Sequence, residues 1–70
     1  MLPLFLAEVA EEYIIRKISG TDEVKARLES LGLSVGAAVT VISVSGGDLI
    51  VLTAKNRVAI SRDMAQNVYV

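Results

Sequence analysis

AVTVISVSGGDLIVLTAKNRVAIS, residues 38–61, decides the fold. Apolar and β-branched residues fill it, and turn-forming residues interrupt it twice. Ala38 to Val44 reads as a strand with Val39 and Val41 on one face, then Ile42 and Val44 on the other. That change of phase fits a long strand that bends between two halves of a barrel. Gly46-Gly47-Asp48 is a tight hairpin signal. Asp48 to Ala54 alternates Leu49, Val51 and Thr53 against Ile50, Leu52 and Ala54. Both faces are apolar, so this strand is expected to be central and covered on both sides. Lys55-Asn56-Arg57 is a second hairpin turn, where Asn56 can take a positive φ. Arg57 to Ser61 is a short strand with Val58 and Ile60 inward.

Upstream of this meander, Thr21 to Leu31 is the clearest helix. Val24, Leu28 and Leu31 recur at i, i+4 and i+7 and form one apolar stripe. Thr21 is placed to cap the first turn, and Asp22 and Glu23 suit the positive end of the helix dipole. Gly32 follows the last periodic residue, where a left-handed stop is expected. Lys25 and Glu29 are spaced to pair across a turn. Glu12 to Ile18 reads as a strand with imperfect alternation. Ile15 and Ile18 share a face only if that strand is bent, whereas Ile14 and Ile18 share one if it is regular. Leu2 to Val9, with Pro3 near its start, is a short helical turn or an extended arm. Downstream, Ser61 to Ala65 reads as one capped helical turn, and Val68 and Val70 share a face of a last short strand, with Tyr69 opposite.

The expected fold is therefore mainly β: a small SH3-like barrel of about five strands, with one α-helix inserted after the first strand. Closure removes the edges that such short strands would otherwise expose. With 70 residues, the chain is expected to form one domain over 1–70. The apolar fraction is 53%, and the aromatics are only Phe5, Tyr13 and Tyr69, so the core is aliphatic.

Composition excludes several functions. Without cysteine or histidine, no disulfide framework, thiolate metal site or Ser-His-Asp type triad is possible. No enzyme activity and no cofactor are expected. Asp22 and Glu23 are adjacent on a helix and point apart, so they do not make an acid–base pair. Gly46-Gly47 is followed by neither a Lys-Ser/Thr pair nor a helix, so it is no phosphate loop. Glu8, Glu11, Glu12, Asp48 and Asp63 offer only hard oxygen ligands, unsuited to a selective ferrous site. A net charge of −1 without a basic stripe argues against nucleic acid, including RNA binding by a small barrel. No run approaches a membrane span, and Met1 to Ala7 lacks the basic start of a signal peptide. The chain is read as cytoplasmic, without membrane insertion.

What remains is surface recognition. Two features are candidates for partner binding: the apolar arm Leu4, Phe5 and Leu6, and the basic turn Lys55, Asn56 and Arg57, with Arg62 taken to lie nearby. The arm reads either as an exposed anchor or as a cover over an open barrel end. The turn reads either as a docking patch for an acidic surface or as a solvated loop.

Several segments together resemble the FeoA family. Ile15, Ile18 and Gly20 are followed by a helix closing on Leu31-Gly32-Leu33, and then Gly36. Arg57-Val58-Ala59-Ile60-Ser61, Ala65 and Val68-Tyr69-Val70 match the family's closing pattern. Residues 10–70 carry the resemblance. Ala10 departs from it, standing where the family usually has glycine, and the 43–48 loop lacks a common Pro-containing insertion. The resemblance implies a small SH3-like accessory protein of transition-metal uptake, acting on a membrane ferrous-iron transporter with a cytoplasmic GTPase domain. It also implies similarity to the C-terminal domain of metal-dependent repressors, so the alternative is a stand-alone domain docking a transcription regulator. Self-association is compatible with either. Because imidazole and thiolate ligands are missing, anaerobic Fe²⁺ titration is expected to show no stoichiometric site tighter than about micromolar.

Overall fold

The computed structural model describes residues 1–70. A 3₁₀ turn at Leu4–Leu6 precedes β1 (Glu12–Ile14), β2 (Lys17–Ile18), α1 (Asp22–Ser30) and β3 (Ala38–Ser45). Next come β4 (Asp48–Leu52), β5 (Arg57–Ser61), α2 (Arg62–Ala65) and β6 (Val68–Tyr69). One antiparallel sheet has the order β1-β3-β4-β5, and β2 pairs with β6 in a second. The mainly β SH3-like architecture with its inserted helix is thus present. No helix is long and apolar enough to cross a membrane.

The expected strand Glu12–Ile18 is broken between β1 and β2, so six short strands replace five. The break is a bend that serves both sheets. Ile15 N–H donates to Ala37 O and Ile15 O accepts from Gly36 N–H, while Arg16 N–H donates to Tyr69 O. Ile15 is buried, Ile18 is half-buried and Ile14 stays exposed. The bent reading of this segment therefore holds, and the isoleucine pair of a regular strand does not form.

A second bend lies in β3. Its register with β4 shifts between Val41 and Ser43, which is a β-bulge at Ile42. This is the structural counterpart of the phase change from Val39 and Val41 to Ile42 and Val44. The Gly46-Gly47 hairpin has positive φ at Gly46 but not at Gly47, the sign pattern of a type II′ turn. In the second hairpin Asn56 does not use the positive φ open to it. Thr53 does the work instead. Its Oγ1 accepts from Lys55 N–H at 3.2 Å and Asn56 N–H at 3.3 Å and donates to Asn56 O at 3.1 Å. A side chain that satisfies the turn's own backbone removes the need for a left-handed residue. β4 is central, but only its inner face is covered: Leu49, Val51 and Thr53 are buried, while Ile50 is half-buried and Leu52 exposed.

The core is a cluster of twelve buried aliphatic residues contributed by both sheets, both helices and the arm. Leu28 is the buried centre of the α1 stripe, and Val24 and Leu31 pack against the cluster as partly buried neighbours. Thr21 caps α1 by accepting from Val24 N–H at 3.2 Å, and Ser61 caps α2 by accepting from Met64 N–H at 3.2 Å. The C-terminus of α1 is a Schellman stop. Gly32 N–H donates to Glu29 O and Leu33 N–H to Leu28 O, with Gly32 at φ +91°. The hydrophobic pair that accompanies such a stop is Leu28 with Leu33, both fully buried.

Two substitutions test this backbone. A Cβ on Gly32 would lie 2.9 Å from Thr53 Oγ1, the atom that holds the 53–57 turn. Asparagine tolerates a left-handed backbone but carries the same Cβ. Gly32→Ala and Gly32→Asn are both expected to lower stability by at least about 1–2 kcal/mol in urea unfolding. A near-neutral asparagine variant would mean that Thr53 moves aside freely. Conversely, Ala10 is the one non-glycine residue at positive φ, 74°. Ala10→Gly relieves about 1–2 kcal/mol of steric cost, partly offset by unfolded-chain entropy. It is expected to raise the urea midpoint, with a net gain of about 0.5–1 kcal/mol.

Candidate functional site

The arm is fastened by backbone pairing to the far end of the chain. Leu2 N–H donates to Val70 O at 2.9 Å and Val70 N–H to Leu2 O at 2.8 Å, and Pro3 bridges Tyr69. The next three residues then part company. Leu4 is fully buried and belongs to the core, so it is unavailable to a partner and covers the barrel end instead. Phe5 is half-buried, with the Arg62 guanidinium carbon 5.2 Å from its ring centroid. Leu6 is 60% exposed.

Phe5 and Leu6 form one wall of a cleft of about 160 Å³, completed by Val44, Gly46, Gly47, Leu49 and Arg62. Val44 is 58% exposed at the tip of β3. Arg62 holds its place because Ser61 caps α2 and Arg62 N–H donates to Gly47 O at 2.9 Å. The guanidinium therefore stands over an aromatic face at an apolar opening, where a cation–π contact contributes roughly 0.5–1 kcal/mol. An apolar cleft with one fixed cation suits an apolar side chain flanked by an acid or a free carbonyl.

The basic turn is elsewhere. Lys55, Asn56 and Arg57 lie at the opposite end of the β4–β5 hairpin from Gly47, about 17 Å away for five residues of strand. All three are exposed, and Lys55 lies near Gly32 at the C-terminus of α1. The structure thus separates the two candidate features. It also moves Arg62 out of the basic patch, since all of β5 lies between Arg57 and Arg62. The cleft residues Val44, Leu49 and Gly46-Gly47 were legible only as strand and hairpin. Their meeting with the arm depends on closure of the barrel.

No His, Cys, Asp or Glu residues gather in threes to hold a metal ion. Of the nearby acids, Glu11 accepts a hydrogen bond from the Tyr13 hydroxyl, and that hydroxyl accepts from Glu8 N–H at 3.1 Å. These contacts fasten the 8–13 loop. A second depression, of about 350 Å³, lies on the helix side and is flanked by Ile18, Lys25, Glu29, Ser34 and Val35.

Comparison with known proteins agrees with this geometry. A Methanocaldococcus jannaschii protein named Putative Fe(2+) transport protein A is 34% identical over 70 residues, spanning 100% of this chain and 85% of that protein. A crystal structure of an iron uptake regulatory protein, FeoA, superposes with a TM-score of 0.87 at 29% identity, over 96% of this chain and 91% of that one. A manganese-dependent transcriptional repressor matches with a TM-score of 0.88, over 97% of this chain and 39% of its own. At 18% identity this last likeness concerns the fold alone. The FeoA domain model matches residues 2–70, and the chain belongs to the FeoA family.

Proposed function

We propose that this protein is a non-enzymatic, cytoplasmic accessory of a ferrous-iron transport system and acts by binding the cytoplasmic GTPase region of the membrane transporter. Family membership and the iron-transport name of the archaeal relative support the system. The observation that carries the mode of action is the cleft: Leu6 and Val44 stand exposed beside it, with Arg62 fixed at its edge. Such an opening recognises an apolar anchor on a partner and offers no group for bond making or breaking. Phe5 and Leu6 supply the apolar contact. Lys55, Asn56 and Arg57, at the other end, act on a different part of the partner surface, mainly by steering encounter. Docking to a transcription regulator rests on the repressor-like fold and on no feature of the cleft.

The test is co-purification with the transporter from solubilised membranes, with and without guanine nucleotide. Leu6→Ala combined with Val44→Ala is expected to weaken binding at least about tenfold, a loss of about 1.4 kcal/mol. Both side chains are exposed, so the circular dichroism spectrum should not change. Lys55→Ala combined with Arg57→Ala is expected to slow association and reduce its salt dependence, with a smaller effect on affinity. If the charge variant fails to bind while the apolar variant binds like wild type, the interface lies at the 55–57 turn.

A further inference from the structure

The outer face of the four-stranded sheet is covered by no other element of the chain. Glu12 pairs with Thr40, Thr40 with Leu52, and Leu52 with Arg57, so these four side chains form one row across all four strands. Beside this row lie Ile14 and Ala38 on one side and Ile50 and Ala59 on the other, also in register. Ile14 and Leu52 are each 46% exposed, and between them a notch of about 170 Å³ is lined by Glu12, Ala38, Thr40, Leu52, Thr53 and Ala54. Thr40 and Leu52 make the middle of this row, with an acid at one end and a base at the other, and Ile14, Ala38, Ile50 and Ala59 give the face a partly apolar character.

We propose that this face pairs with a second copy of the same chain in a weak two-fold dimer. The charges select the geometry. When two sheets stack about an axis parallel to their strands, between β3 and β4, the strand order of one copy reverses over the other. Glu12 then faces Arg57 of the second copy, and Arg57 faces its Glu12, while Leu52 meets Thr40 at the notch. The next rows bring Ser43 opposite Ile50 and Ser45 opposite Asp48, so no like charges meet. An axis perpendicular to the strands places β1 on β1 and β5 on β5 and forms neither ion pair. Four strands about 4.8 Å apart and about five residues long present on the order of 300 Å² of projected sheet. Such a patch is small beside the roughly 800 Å² of accessible surface per partner in a standard interface, so the pairing is weak. The inference is independent of transporter binding, because the isolated protein suffices to test it.

Sedimentation equilibrium of the purified chain, from about 10 μM to 2 mM, reads the dimer directly. A monomer–dimer equilibrium in that concentration range is expected, weakened by salt and at least about tenfold by Leu52→Lys. Glu12→Arg alone and Arg57→Glu alone each place like charges opposite one another at both ends and are expected to abolish pairing. The double exchange, Glu12→Arg with Arg57→Glu, restores complementarity and is expected to return dimerisation to near the wild-type level. A chain that stays monomeric to about 2 mM overturns the proposal. So does a dimer that survives Leu52→Lys, or a double exchange no better than the single variants.

Discussion

The bend at Ile15 and Arg16 joins the two sheets, and the rest of the barrel depends on it. Its first half pairs with β3 and its second half with β6, so one strand belongs to both sheets. At the turning point the Ile15 side chain enters the core while the backbone exchanges hydrogen bonds with Gly36 and Ala37. Straightening this segment would leave one sheet without its partner strand and Ile15 in water. Buried backbone groups must find partners, and in a 70-residue chain few alternative partners exist. Both the position of α1 and the return of the chain to β6 follow from this junction.

The same economy sets what the surface can do. The core takes in Leu4 from the arm and Val68 and Val70 from the other end of the chain. Leu2 and Val70 hold these two segments together through paired backbone hydrogen bonds. Among the places where closing the barrel in this way leaves apolar side chains exposed are the Phe5–Leu6 cleft and the outer sheet face. Neither place carries a thiol, an imidazole or a cluster of metal ligands. Both places suit recognition by shape and apolar contact. The cleft and the notch on the sheet share no lining residue.

Local rules read the capped and glycine-stopped elements well. Thr21, Gly32 and Ser61 act at the positions where their side chains, or the lack of one, satisfy the neighbouring backbone. Asn56 stays out of the left-handed region because Thr53, three residues earlier, stabilises the turn through its hydroxyl. Arg62 was grouped with Arg57 on sequence proximity, yet a strand of five residues carries it to the other end of the barrel. Ala10 stood out only through the resemblance, and the structure puts it at positive φ, a conformation that glycine adopts without steric cost.

The sequence by itself determined most of the elements and the lack of thiolate and imidazole ligands. These depend on periodicity and residue type over a few neighbouring positions. Only the tertiary structure decided that Leu4 is core while Leu6 is surface, and that the cleft gathers Phe5, Leu6, Val44, Leu49 and Arg62. It also decided that Glu12, Thr40, Leu52 and Arg57 stand in one row. Contacts between residues tens of positions apart depend on where β3 bulges and where the 12–18 segment bends. Those points are set by closure of the whole barrel, which no local pattern encodes.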